Sequence, residues 1–203
     1  MDGKMKGMIM AGMAGLCLIL GIMGALGNTW LVPDEEMDEG MDTGAGLTSS
    51  WAEMDMEDAE TCDMMLSMME DEGDAECDGS MLTMTMSFSD SCDDGDDEAC
   101  DMATGGLIGT IGMWAGIVCA LMVTLTLVLP MAGVDAMDAV PEMGNKIATW
   151  GAGALMLVGM LGWYFMLPDG GEMSLGMSGW MAGAAMSTGL GSALIGQFIE
   201  ADE

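Results

Sequence analysis

The chain has 203 residues, of which 34 are acidic and three basic, and its formal charge is -31. Such a charge usually accompanies low hydrophobicity and disorder, yet 51% of the residues are hydrophobic. The two properties coexist because they are segregated: 25 of the acids lie between Asp34 and Asp101, and long uncharged blocks lie on either side. The charge excludes nucleic acid as a partner, since phosphates would be repelled.

Four uncharged blocks follow one another along the chain. They cover approximately 7–30, 102–131, 147–167 and 173–199. Each reaches the ~20 residues that a helix needs to cross a bilayer, and none carries the polar stripe of a helix in a soluble bundle. Small residues recur every three or four positions in the second and fourth blocks, where they favour close helix packing. These residues are Gly105, Gly109, Gly112 and Gly116, then Gly179, Gly183, Ser187 and Gly191.

The lysines predict the orientation. Lys4 and Lys6 precede the first block and Lys146 precedes the third, so the positive-inside rule puts both termini in the cytoplasm of a multi-pass cell-membrane protein. A cleaved signal peptide is the alternative for the first block, because a lysine-containing start and small residues after the apolar stretch also suit processing. The predicted order is a cytoplasmic N-terminus at 1–6, helix 1 at 7–29, an acidic extracellular domain at 30–102, helix 2 at 103–131, a cytoplasmic loop at 132–146, helix 3 at 147–167, a short extracellular loop at 168–173, helix 4 at 174–198 and a cytoplasmic tail at 199–203.

Nothing in the sequence points to catalysis. The chain has no histidine, no P-loop, no G-x-S-x-G and no H-E-x-x-H, and its apolar blocks have no Asp, Glu, Lys or Arg in their centres. We therefore expect neither an enzyme nor a bound cofactor, and no proton or ion pump. Cys17 and Cys119 fall within the spans and are interpreted as packing residues.

The extracellular domain holds four cysteines, which suggests two disulfides in an oxidising compartment. Three connectivities exist; pairing Cys62 with Cys77 and Cys92 with Cys100 is favoured because both loops are short. "SMLTMTMSFS" at 80–89 alternates with period two and predicts a strand, whereas "CDMMLSMMED" at 62–71 fits either a short helix or a strand. The fold class predicted is an all-α transmembrane four-helix bundle with a small, disulfide-bonded, β-rich extracellular domain between helices 1 and 2.

Cation binding is a separate hypothesis for the acidic domain. Carboxylates are suitable Ca²⁺ ligands, but the "DSCDDGDDEACD" stretch lacks EF-hand spacing, and a solvated charge run is the alternative. Its candidate metal ligands are Asp90, Asp93, Asp94, Asp96, Asp97 and Glu98. The 30 methionines would also allow Cu(I) to bind through thioether sulfurs. The alternative is that methionine is simply common in the proteins of the source organism, because it is equally frequent in the spans. A salt-adapted composition would likewise explain the acids.

Several residues resemble the claudin and peripheral-myelin-protein superfamily. "NTWLV" with Trp30 ends the first block, and Gly46, Leu47, Trp51 and a later cysteine pair follow in the order of that family's W…G-L-W…C…C signature. The spacing departs from the family: "TSS" separates Leu47 from Trp51, ten residues separate Trp51 from Cys62, and a second cysteine pair is present. The usual basic residue near the outer end of the second span is missing.

The resemblance implies a left-handed four-helix bundle topped by a small β-sheet, with Cys62–Cys77 as the family's loop disulfide. It implies Trp30 as an interfacial anchor of the first strand, although a general aromatic belt with Trp163, Tyr164 and Trp180 explains Trp30 nearly as well. It also implies a structural, adhesive, membrane-organising or accessory role. The expected partners are the lipid bilayer, another copy or another membrane protein, and Ca²⁺ or other cations at the acidic loops. The alternative function is a cation-binding or cation-conducting assembly.

Overall fold

The computed structural model describes residues 3–34, 40–69, 74–131, 133, 142–168 and 173–199. Parts of the predicted acid-rich loops, at 35–39 and 70–73, lie outside the described residues. So do most of the predicted cytoplasmic loop, at 132 and 134–141, the centre of the short outer loop at 169–172, and the ends of the chain at 1–2 and 200–203.

Six helices and six strands make up the described chain. The helices are α1 (Gly3–Leu26), α2 (Ala59–Met68), α3 (Phe88–Asp93), α4 (Asp97–Met131), α5 (Glu142–Tyr164) and α6 (Met177–Phe198). The strands are β1 (Leu31–Pro33), β2 (Met41–Ala45), β3 (Ser49–Asp55), β4 (Asp74–Asp78), β5 (Met81–Ser87) and β6 (Met173–Leu175). The prediction of an all-α transmembrane four-helix bundle with a small, disulfide-bonded, β-rich domain is thus confirmed in part. Apolar helices, an antiparallel sheet and two disulfides are present, but the described chain has six helices and is not a simple four-helix bundle.

The chain divides into two compact units. The first, here called the helical unit, comprises Met1–Leu26, Ile108–Gly162 and Trp180–Glu203. The second, here called the cystine unit, comprises Gly27–Leu107 and Trp163–Gly179. All six strands belong to the cystine unit, together with α2 and α3.

Glycines set the packing of the helical unit. A Cβ atom at Gly112 of α4 would lie 2.5 Å from the Cα of Gly159 in α5, and one at Gly153 of α5 would lie 2.5 Å from the backbone nitrogen of Leu190 in α6. A Cβ at Gly189 of α6 would lie 3.0 Å from the Cys17 sulfur of α1. These backbones approach so closely because no side chain separates them, as is typical of helix pairs in membranes.

Among the described residues, three helices are long and apolar enough to cross a membrane: the segments Met5–Leu26, Asp97–Pro130 and Met143–Tyr164. The protein therefore has the character of a membrane protein. Helix α6 has a suitable length, 22 residues, but is not among the three. Its many glycine, serine and threonine residues lower its mean hydropathy, so the same small residues that favour close packing weaken its signal as a span.

The sheet of the cystine unit has the strand order β4-β5-β3-β2-β1-β6 and all its neighbouring strands are antiparallel. The period-two strand predicted at 80–89 is confirmed as β5, and "CDMMLSMMED" supplies most of α2. Gly79, with φ of 65°, occupies the two-residue connection between β4 and β5, where a side chain would be strained. Strand β6 was not predicted. It lies at the edge of the sheet, pairing Leu175 with Leu31 across 144 positions of sequence.

The two faces of the sheet differ in chemistry. Directly paired residues share a face, and Cys77 of β4 pairs with Leu82 of β5, which is fully buried. Cys77 is also bonded to Cys62 in α2, so α2 covers this apolar face. The opposite face carries a set of carboxylates from β2, β3 and β4: Asp42, Glu53, Asp55, Asp74, Glu76 and Asp78.

Candidate functional site

Trp30 lies in the core of the cystine unit. Its side chain is 0% exposed and its ring packs edge-on against that of Trp163, with centroids 4.9 Å apart. The prediction that Trp30 is an anchor in the membrane interface, or a belt residue together with Trp163, is therefore wrong for both rings. A ring in the interface would be exposed, as are those of Tyr164 and Trp180. Sequence reasoning missed the burial because an aromatic residue after an apolar block looks the same in either setting.

Trp51 lies on β3, opposite Gly44 of β2. Its indole Nε1–H donates a 2.9 Å hydrogen bond to the carbonyl oxygen of Asn28, in the segment between α1 and β1. A Cβ atom at Gly44 would lie 2.8 Å from Trp51 Cζ2 and 2.9 Å from the carbonyl oxygen of Leu31. Gly44 is thus required because a side chain there would meet the Trp51 ring and the Leu31 carbonyl, a requirement that the sequence pattern did not reveal.

Gly46 and Leu47 form the turn between β2 and β3. The Gly46 N–H donates to the Ser49 carbonyl at 2.8 Å, and the Leu47 side chain is buried. A Cβ atom at Gly106 of α4 would collide with the Leu47 carbonyl oxygen, so the turn and the helix touch through their backbones.

The four signature residues, Trp30, Gly46, Leu47 and Trp51, are brought together at one point of the cystine unit. The Trp30 N–H donates to the Ala45 carbonyl at 2.8 Å, one residue before Gly46, and Trp51 reaches the neighbouring Asn28. A Cβ at Gly46 would itself lie 3.4 Å from the Cα of Asn28. Four of the residues that carried the resemblance to claudins therefore lie in one region next to Asn28 and Ala45, here called the signature cluster.

Both disulfides join the cysteines in sequence order. Cys62–Cys77 ties α2 to β4 across 15 positions, and Cys92–Cys100 ties α3 to the beginning of α4 across 8. This is the pairing that loop length favoured. Cys17 and Cys119 have free thiols and lie in α1 and α4.

The carboxylates of the "DSCDDGDDEACD" stretch do not converge on a common point. Within the described part of the chain there is no group of three or more His, Cys, Asp or Glu side chains able to hold a metal ion. Asp96 instead accepts hydrogen bonds from the N–H groups of Glu98 and Ala99, at 3.0 and 3.2 Å, and so caps the start of α4. Gly95, with φ of 98°, ends α3 just before it. Of the candidate ligands, Asp90 and Asp93 lie in α3, Asp94 caps its end, and Asp97 and Glu98 form the first turn of α4.

Like charges face each other on the acidic face of the sheet. Asp42 lies directly opposite Glu53, and Thr83 separates Glu53 from Glu76 in the same row. Cross-strand pairs of like charge are destabilising, and cations in solution reduce the repulsion by screening. This row therefore gives three of the acidic residues a defined cross-strand arrangement.

An open groove of about 680 Å³ lies in the cystine unit between β6 and the end of α5. Trp163 and Leu31 contribute its inner surface, while Tyr164 and Phe165 lie mostly exposed, with ring centroids 6.1 Å apart. The Glu98 side chain is the carboxylate among its described lining residues. Exposed aromatic rings of this kind suit an interface with lipid or with another protein.

Comparison of the sequence with known protein-family models finds no match, and comparison with curated proteins finds none either.

Proposed function

We propose that the chain is a structural or accessory membrane protein of claudin-like architecture, with the cystine unit as its extracellular contact domain. The observation that carries the proposal is the signature cluster. Trp51 and Gly46 both lie against Asn28, and Trp30 bonds to Ala45 next to Gly46, an arrangement that supports a shared architecture. A resemblance in fold does not identify a specific role, so the proposed role is argued from the surfaces of the cystine unit.

In this proposal α6 is the fourth span, although its hydropathy is low. Its close contacts support this: Gly189 lies against Gly153 of α5 and Cys17 of α1. The Ser192 hydroxyl also donates to the Met10 carbonyl at 3.3 Å. A helix that packs against two apolar helices through small residues can remain in the bilayer without high hydropathy of its own.

The ends of the chain support an even number of spans. The Lys6 ammonium, near the start of α1, donates hydrogen bonds to the carbonyls of Gly196 and Ile199, at 3.1 and 2.6 Å, near the end of α6. The start of the first helix and the end of the last helix therefore belong to one side. With lysines on the cytoplasmic side, both termini are cytoplasmic and the cystine unit is extracellular.

Contact with another copy or another membrane protein is the proposed activity. Full-length protein would be reconstituted into vesicles, and clustering measured by light scattering, alongside chemical crosslinking in the membrane of origin. We expect clustering or one dominant crosslinked partner, reduced by the double substitution Tyr164→Ser and Phe165→Ser in the groove between β6 and the end of α5. A matched control is Trp180→Ser, which removes an equally exposed aromatic from the helical unit. Dispersed vesicles and a protein without crosslinked partners would contradict the proposal.

Cation binding or conduction is the second candidate, and the row of Asp42, Glu53 and Glu76 favours it, because the geometry gives cations a defined acidic surface. Cation-selective conductance of the reconstituted protein would support this function. So would a rise in thermal stability with micromolar Ca²⁺. Either result would contradict a purely structural role, whereas vesicle clustering without conductance would exclude the conducting assembly.

A further inference from the structure

The groove between β6 and the end of α5 combines apolar walls with a carboxylate. One wall is the face shared by β1 and β6, because Leu31 pairs directly with Leu175, and Met173 lies two positions from Leu175 on the same side of the strand. From α4, Glu98 and Met102 line the groove one helical turn apart. A ligand in this groove would therefore meet apolar side chains and the Glu98 carboxylate together.

Two exposed aromatic rings complete the groove. Tyr164 is 63% exposed and Phe165 77%, although their centroids lie only 6.1 Å apart and buried Trp163 adjoins them in the chain. The face of an aromatic ring attracts a cation, and the cation in proteins is more often the guanidinium of arginine than the ammonium of lysine. The rings and the Glu98 carboxylate therefore favour the same kind of ligand, a planar cation on an apolar stem.

The cystine unit of a second copy does not supply that cation. Its sequence, 27–107 and 163–179, has no lysine, arginine or histidine, and the three lysines of the chain all belong to the helical unit. The segment 169–172 beside the groove lies outside the described residues, but its two charged residues are acids, of the same sign as Glu98. In the proposed topology the lysines are cytoplasmic and cannot reach an extracellular groove. Another copy would therefore bring more carboxylates to Glu98, and like charges across an interface disfavour binding.

We infer that this groove binds an arginine side chain of a different membrane protein. The inference rests on the proposed function and decides between its two partners, another copy and another protein. A guanidinium bonds to a carboxylate such as Glu98 through two parallel N–H groups, and its flat face stacks on rings such as those of Tyr164 and Phe165. A purely apolar segment would cover the Glu98 carboxylate without giving it a partner, which is unfavourable. The volume of about 680 Å³ leaves room for apolar neighbours of the arginine, which favours a protein segment over a small cation.

The test measures peptide binding to the full-length protein in phosphatidylcholine nanodiscs by fluorescence anisotropy, with empty nanodiscs as background. The probe is a labelled peptide with one arginine between leucines, compared with the same peptide carrying citrulline, which has the shape of arginine without its charge. We expect the arginine peptide to bind about fivefold more tightly, and Glu98→Gln to remove this preference. Tyr164→Ser with Phe165→Ser should weaken binding of both peptides. Glu57→Gln, an equal charge change at an exposed position between β3 and α2, is the control, and thermal unfolding checks that each variant is folded.

Equal binding of the arginine and citrulline peptides would overturn the inference. So would equal losses in Glu98→Gln and Glu57→Gln, no binding of either peptide at millimolar concentration, or binding of arginine amide as tight as that of the peptide, since the occupant would then be a small cation. If vesicles containing only this protein cluster, and the double substitution of Tyr164 and Phe165 abolishes clustering, a second copy is the occupant. The proposed function would then stand and this inference would fail. Arginine-dependent binding by a protein that has no crosslinked partner in its membrane of origin would count against the proposed function alone.

Discussion

The helical unit and the cystine unit are both closely packed, but different interactions produce the packing in each. In the helical unit backbones meet at Gly112, Gly153 and Gly159, because glycine leaves no side chain between them. The cystine unit is instead held together by a ladder of strands, two disulfides and the buried Trp30–Trp163 pair. The difference reflects the solvent. Lipid provides little hydrophobic driving force for helix association, so helices pack closely through small residues. A small domain in water whose charges repel each other needs disulfides and large buried rings for stability.

The largest effect is expected from Trp30→Ala. The side chain is fully buried against Trp163, so its removal leaves a cavity and should lower the free energy of unfolding of the cystine unit by about 3–5 kcal/mol. This loss of unfolding free energy is measured by hydrogen exchange of the β2 and β3 amides. Trp180→Ala makes the same chemical change at a ring that is 67% exposed. Equal losses in the two variants would refute a tryptophan core.

Removal of Cys62–Cys77 ranks next. Replacing both cysteines by alanine opens a 15-position loop and frees α2 from β4, which should cost about 3 kcal/mol by loop-closure entropy. Replacing Cys92 and Cys100 opens an 8-position loop and should cost about 2.5 kcal/mol. Proteolysis coupled to mass spectrometry would locate each loss. If the first pair could be removed with α2 as protected as before, the disulfide would not be what holds α2 on the sheet.

Gly112→Ala tests the helical unit. The new Cβ would meet the Gly159 backbone, which cannot move aside as a side chain could, so we expect a loss of about 1–3 kcal/mol in unfolding of the protein in detergent. Gly12→Ala is the matched control, as no atom lies within 4 Å of its Cβ position. Two variants of equal stability would show that α4 and α5 do not pack at this glycine.

Glu53→Thr should stabilise the cystine unit at low salt. The substitution removes the like-charge pair with Asp42 and adds a β-branched residue beside Thr83, for a gain of about 0.2–1 kcal/mol. The charge-related part should disappear near 1 M salt, where the screening length is about 3 Å. The salt dependence is measured from the melting temperature at increasing salt concentration. The control is Glu57→Thr, which makes an equal charge change outside the sheet. If the gain in stability did not depend on salt, it would come from the strand propensity of threonine and not from the removed charge.

The smallest effect concerns Asp58 and pH. Its carboxylate caps α2, accepting from the Thr61 N–H at 2.8 Å, and this hydrogen bond lowers the pKa of Asp58 from its ordinary value of 3.8. The stabilisation of α2 is therefore complete above that ordinary pKa and is lost as pH falls through the lower, folded pKa. Protection of the Thr61 amide from hydrogen exchange should decline in that acid range. Asp58→Asn keeps a capping oxygen and should lose this pH dependence; an unchanged profile would exclude Asp58 as its source.

The sequence and the structure agree where local chemistry decides. The alternation in β5, the change from apolar block to acidic segment after Leu26, and the short-loop cysteine pairs are all local signals, and each corresponds to an element of the structure. In the candidate site, the order of a family signature singled out Trp30, Gly46, Leu47 and Trp51, and the structure places Trp51 and Gly46 next to Asn28 and Trp30 next to Ala45. The resemblance itself stays a prediction.

The rest depends on contacts distant in sequence. Strand β6 is only three residues, and its pairing with β1 joins segments that no local pattern links. The burial of Trp30 depends on Trp163, and the need for glycine at 44 and 106 depends on the ring of Trp51 and the carbonyl of Leu47. Helix α4 begins at Asp97, earlier than its apolar block, since acidic residues at a helix start are favourable and Asp96 caps it.

The central claim is the proposed topology, in which the lysine residues are cytoplasmic and the acidic segment that follows α1 is extracellular. It is tested by membrane-impermeant maleimide labelling of intact cells, with Cys17 and Cys119 replaced by alanine. Single cysteines would be placed at Met68 in α2 and at Met143 at the start of α5, both 73% exposed. The proposed topology predicts that Met68→Cys is labelled in intact cells and Met143→Cys only after permeabilisation. Labelling of both positions in intact cells, or the reverse pattern, would contradict it.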